Sequence, residues 1–286
     1  MGRISRGFRL VKVSWSVVRE DKRLLLLPVA SFICSLIVIG VFAAGAFGIG
    51  LPEEGQSTNP LLYVLGFFLY VALAFVTIFF NAAMIGVATE RLKGNAQATI
   101  GDGFALARKH LGKIFVWAVV TATVGMILRI IQERAGFIGR IVIGLIGAAW
   151  NIITFFVVPV LIYEPVGVGS AIKRSASIFR ERWGEQFTGT ATIGLAIFLI
   201  GIPVVLLGGL LIAVLPVVGI PLLVIAIGVL AAVGGATSGV FNAALYRYAT
   251  TGEASGAFTV EDMAGSFQAG HRRGSTPPAP GGVAQG

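Results

Sequence analysis

Leu215-Pro216-Val217-Val218-Gly219-Ile220-Pro221 interrupts a run of 60 residues, Phe187 to Tyr246, that holds no charged side chain. One helix of that length would extend about 90 Å, three times the roughly 30 Å hydrocarbon core of a bilayer. The run must fold back. The two prolines mark where, because each removes a helical N–H donor and clashes with the preceding turn. The pattern predicts two antiparallel membrane helices, over 190–215 and 222–246.

Four more apolar runs precede this pair. Leu24 to Leu51 and Leu61 to Ala88 flank a short polar stretch with Glu53, Glu54 and Pro60, and 114–131 and 137–162 flank Gln132, Glu133 and Arg134. The expected fold is all-α: a polytopic bundle of six spans arranged as three hairpins, each preceded by a cytoplasmic amphipathic helix. Residues 1–23 form the first such helix, 24–249 the membrane domain and 250–286 a cytoplasmic tail. A short helix is expected at Thr259 to Phe267, with disorder beyond about 270.

Composition agrees with this reading. Of the 286 residues, 56% are hydrophobic and 12% charged, whereas soluble chains carry roughly a quarter charged residues. The net charge of +9 would suggest nucleic acid in a soluble protein, but here the placement of the cations gives another cause. Of 22 Lys and Arg, 19 fall in the N-terminal segment, 89–113, 163–187 and the tail, all on one side of the predicted topology. Only Arg129, Arg134 and Arg140 fall on the other. Basic residues stay on the cytoplasmic face, so both termini are expected in the cytoplasm of a multi-pass cell-membrane protein.

Each hairpin follows a stretch with apolar residues at helical spacing and cations between them. The stripes are Ile4, Phe8, Val11, Trp15 and Val18; Ile100, Phe104, Ala107, Leu111 and Ile114; and Val168, Ile172, Ser175 and Phe179. Basic amphipathic helices lie in the headgroup layer with the apolar face a few ångströms into the acyl region. Arg9, Lys12, Trp15, Arg19, Lys109, Lys113, Lys173, Arg174, Arg180 and Trp183 are accordingly the candidate contacts with anionic lipid headgroups. Phe80-Asn81-Ala82-Ala83 recurs as Phe241-Asn242-Ala243-Ala244, consistent with three copies of one unit, a surface helix and a hairpin.

Inside the spans the candidate polar residues are Asn81, Asn151, Asn242 and Arg129. The asparagines could line a substrate path, but interhelical hydrogen bonds commonly serve as glue. Arg129 has Glu133 one turn later and reads as an anchor at the outer edge. Glu164 reads as an interface residue. Ala231, Gly235, Gly239 and Ala243 make a ridge of small residues that lets span six pack closely within the bundle. Cys34 is the sole cysteine, and His110 and His271 lie apart without acidic company, so neither a disulfide nor a metal site is expected. No phosphate-binding loop, nucleophile elbow or zincin motif occurs, and no cofactor is expected.

Gly-Arg-Ile-Ser-Arg-Gly at 2–7, Phe79-Phe80-Asn81-Ala82-Ala83, Phe155-Phe156-Val157-Val158-Pro159, Lys173-Arg174-Ser175 and Trp183-Gly184-Glu185-Gln186 give the chain a wider likeness. It resembles a prokaryotic family of six-span membrane proteins catalogued as a domain of unknown function. The resemblance covers nearly the whole chain to about residue 250; it implies the topology and no activity. A more distant likeness, in architecture alone, is to the membrane domain attached to some bacterial glycerophosphodiester phosphodiesterases, without a counterpart of their catalytic domain. The expected role is a non-enzymatic membrane scaffold that meets anionic lipid or a protein partner. The alternative is a small transporter or channel with a polar site among spans two, four and six, and a lipid enzyme would need converging ionisable groups.

Overall fold

The computed structural model describes residues 12–16, 18–19, 21–50, 59–95, 97–183 and 189–252, without the side chains of 181–196. It is all-α. After helical turns at 12–16 and 18–19 and a 3-10 turn at Lys22–Leu25, nine α-helices follow among the described residues. They are α1 Leu26–Ile49, α2 Pro60–Leu92, α3 Ile100–Lys109, α4 Leu111–Arg134, α5 Phe137–Ile153, α6 Val157–Tyr163, α7 Val168–Trp183, α8 Gly189–Val214 and α9 Pro216–Thr251. Six helical stretches are long and apolar enough to cross a membrane, with α5 and α6 together forming the fourth.

Local chemistry sets the ends of these helices. Gly50, at φ 93°, takes a positive-φ conformation that favours glycine and closes α1. Asn59 accepts from the Leu61 N–H at 3.0 Å, and Pro60 occupies the first turn, where a missing N–H costs nothing. Thr99 and Asp102 form a reciprocal capping box at the start of α3.

The last hairpin turns more tightly than the prolines suggested. Leu215 alone separates α8 from α9, so Pro216 opens the returning helix and Pro221 lies inside it. Pro216 sits at the first position, where a missing N–H costs nothing, whereas Pro221, five residues on, forgoes one intrahelical hydrogen bond. At Gly219 an added Cβ would lie 2.6 Å from the Ile212 backbone nitrogen, so glycine allows the two helices to meet at the turn.

Packing is concentrated at one end of the bundle, the end that carries the surface helices and most cations. There Ala82–Ala88 of span two, Phe156–Ile162 of span four and Val240–Leu245 of span six form a common core with Leu24, Leu27, Ile114 and Trp117. The opposite end is open: Phe137 is 81% exposed and Val217 86%. In water this would be untenable, but lipid solvates such side chains.

The surface helices depart from their expected setting. Ala107 of α3 and Ala171, Ser175 and Ile178 of α7 are buried against the spans, as is Val18 in the N-terminal segment. Phe104 meets the rings of Phe79 and Phe80 at 5.9 and 5.6 Å. The apolar stripes are therefore covered largely by protein rather than by acyl chains. The reason is that α3 finds an apolar wall on α2 at Phe79, Phe80, Ala83 and Val87, while α7 packs chiefly on α6. The small-residue ridge of span six faces inward: a Cβ at Gly239 would lie 2.5 Å from Met84 Cγ, and one at Gly235 3.3 Å from Pro28.

Candidate functional site

Span four is broken where the packing is densest. Pro159 has no N–H to give the Phe155 carbonyl, and α5 stops at Ile153 before α6 resumes at Val157. Backbone groups freed inside a membrane require partners from neighbouring protein. Two side chains from distant elements supply them. Asn242 Nδ2 of span six donates to the Phe155 carbonyl oxygen at 3.2 Å. Ser175 Oγ of α7 accepts from the Phe156 N–H at 3.0 Å and donates to the Ile153 carbonyl at 2.6 Å. Ser175 is fully buried.

A second polar cluster follows at the end of α6. Glu164 Oε1 accepts from the Tyr246 hydroxyl at 3.0 Å and from Arg174 Nε at 3.3 Å. Lys113 Nζ donates to the carbonyls of Leu161 and Glu164 at 3.4 and 3.3 Å, a cation placed at a helix C-terminus. The Tyr163 and Tyr246 rings stack at 6.0 Å, with Lys93 Nζ 5.9 Å from the Tyr163 centroid. Arg91 pairs with Asp21 at 2.8 Å and so ties span two to the approach of span one. Hydrogen bonds from Thr99 hold the Asp102 carboxyl below its usual range. Desolvation, with Lys113 and Lys109 nearby, lowers the His110 imidazole below its own.

The sequence-predicted residues fall into separate settings. Lys12, Arg19, Lys109, Lys173, Arg174 and Arg180 are exposed. Lys113 instead turns inward to the α6 carbonyls, because that helix end leaves acceptors within its reach. Trp15 packs partly buried against the core. Arg9 and the side chain of Trp183 lie outside the described residues, as do the tail segment at 259–267 and the turn around Glu53. Arg129 Nε pairs with Glu133 at 3.0 Å, both side chains well exposed.

The three asparagines do not converge. Asn242 is buried at the span-four break. Asn151 lines a crevice of about 530 Å³ with Tyr70, Arg129, Gln132 and Thr154. Asn81 lines a separate cavity of about 260 Å³ among spans one, two and six. Among the described residues the three asparagines therefore share no single site between spans two, four and six. Sequence reasoning missed Ser175 as a backbone partner; Pro159 signals the freed Phe155 carbonyl that Asn242 takes, but no local pattern marks the Phe156 N–H and Ile153 carbonyl that Ser175 takes. Among the described residues no three His, Cys, Asp or Glu side chains group as metal ligands.

Six lipid-facing helices joined at one basic, densely packed end define a multi-pass membrane protein. Residues 61–257 match a family of unknown function, DUF6159, and the chain belongs to that family. No curated protein and no solved structure matches it.

Proposed function

We propose that the chain is a non-enzymatic membrane scaffold of the cell membrane, its two termini cytoplasmic, whose basic end holds anionic headgroups or an acidic protein partner. The observation that supports this is the placement of Lys109, Lys173 and Arg180: exposed, on helices whose apolar sides are already occupied by the spans. Such helices cannot sink into the acyl layer, so they act as a rigid rack of cations at headgroup level. Each cation near an anionic surface adds about 1 kcal/mol of attraction. Among the described side chains at this end, the carboxylates of Asp21, Glu90, Asp102 and Glu164 all have partners of their own. They leave the exposed cations in excess.

The lipid part is tested by purifying the full chain, stripping loosely held lipid and quantifying what remains by mass spectrometry. Anionic phosphatidylglycerol should be retained over phosphatidylcholine, and a Lys109→Gln, Lys173→Gln, Arg180→Gln triple variant should lose most of that preference. Equal retention of the two lipids by the unaltered protein would sink the lipid reading. The transporter reading has less support, since its three asparagines occupy three surroundings.

A further inference from the structure

Asn81 and Asn242 occupy the same place in the repeated Phe-Asn-Ala-Ala segment, yet their surroundings differ. Asn242 spends its amide on the broken backbone of span four. Among the described residues Asn81 has no hydrogen-bond partner, and it faces the cavity of about 260 Å³ between spans one, two and six. Of the three hydroxyl residues on the wall, Ser31 and Thr77 behave the same way, while Ser35 bonds the Ser31 carbonyl. Hydroxyls inside membrane helices ordinarily bond a carbonyl one turn back, as Ser35, Thr121, Thr123, Thr154 and Thr237 do here. Ser31 and Thr77, both lining the cavity, make no such bond.

The position of this wall sets what can reach it. Asn81 lies ten residues before Arg91 on one helix, about 15 Å inward from that cation. Unsatisfied amides and hydroxyls at that depth cost about 1–3 kcal/mol each, so the cavity calls for a hydrogen-bonding occupant. Its remaining walls are Phe32, Phe80 and Met84, with Ala231 and Gly235 making the room. No lining residue is ionisable, so a charged headgroup would enter without a counter-charge. Thr77 and Asn81 are exposed rather than sealed off, so the cavity can be entered.

We propose that this cavity is a binding site for an uncharged, hydroxyl-bearing lipid of the diacylglycerol type, its hydroxyl held by Asn81, Thr77 and Ser31. The site is separate from the exposed cations: one takes a neutral head between spans one, two and six, the other anionic heads at the surface.

The test uses the full chain reconstituted in phosphatidylcholine vesicles with a photoactivatable, alkyne-tagged diacylglycerol. A phosphatidic acid probe with the same acyl chains serves as the charged control, and adducts are mapped by peptide mass spectrometry. Adducts on residues 28–35 or 77–84 are expected with diacylglycerol, about fivefold above phosphatidic acid, as one hydrogen-bonded contact predicts. Asn81→Leu removes the amide and Ala231→Leu fills the space, and either should cut that labelling about fivefold while Asn151→Leu leaves it unchanged. If Asn81→Leu does not fold, the filling variant together with competition by untagged diacylglycerol decides. Equal labelling by the two probes, labelling unaffected by Ala231→Leu, or no adduct on these segments would overturn the proposal.

Discussion

Ser175 shows how much one hydroxyl can do at a broken helix. Replacing it with alanine removes the bonds that Ser175 makes to the Phe156 N–H and the Ile153 carbonyl in a dry core. A buried orphan costs about 1–3 kcal/mol, though membrane measurements average well below that because the unfolded chain also finds partners. Ser175→Ala is expected to lower unfolding stability in detergent by about 1–2 kcal/mol, whereas Ser177→Ala, on the same helix but bonded locally to Arg174, should change it by under about 0.5. A denaturant titration of both variants would decide, and equal effects would mean that Ser175 is not the latch. His110 gives a pH counterpart. Its folded-state pKa is depressed, so the unfolded chain takes up the proton first; the stability it contributes is full above the ordinary histidine value and declines as pH falls below it. His110→Gln should flatten the acid side of a stability–pH profile between about pH 7 and 5. Residue chemistry was only partly legible beforehand: Asn242 could be read as glue, but its acceptor depends on Pro159 some 80 residues away, and no local pattern joins them.

For a whole helix, the legible feature was which face is apolar, and the illegible one was what covers it. The stripe through Ile100, Phe104 and Ala107 marks a face that leaves water; nothing in its spacing tells lipid from protein. The deciding contact is Gly103, where an added Cβ would overlap the Ala83 carbonyl oxygen and crowd Val87. Only at glycine can α3 lie this close to α2. Gly103→Leu must push the surface helix off the bundle, and the cost should reach about 3 kcal/mol, the upper part of the range for overpacked cores. Ala105→Leu, on the exposed side of the same helix, should be near neutral. The difference is measurable as protease sensitivity of the segment 93–110, which should appear in the first variant and not in the second. The proline-marked turn was legible too, but its placement shifted by several residues because proline is harmless in a first helical turn.

Across the molecule, charge and packing share one direction. The end with the surface helices holds the buried core and its cation-rich connections, while the other end exposes Phe137 and Val217 and carries few cations. Sequence counting could assign each connection to a side, since a span reverses direction whatever its packing. It could not show that the helices close together at one end only, because that depends on small residues meeting across spans. If the positive-inside bias sets the orientation, then in a Cys34→Ser background single cysteines at Gly136 and Leu215 should react with a membrane-impermeant maleimide in intact cells. Cysteines at Asn95 and Gly252 should react only after permeabilisation. Labelling of Leu215 and Gly252 from the same side would require an even number of crossings between them, or none, and would contradict α9 as a span. The converse orientation, with Asn95 and Gly252 labelled from outside, would keep the fold and remove the cytoplasmic setting on which binding of anionic inner-leaflet lipid depends.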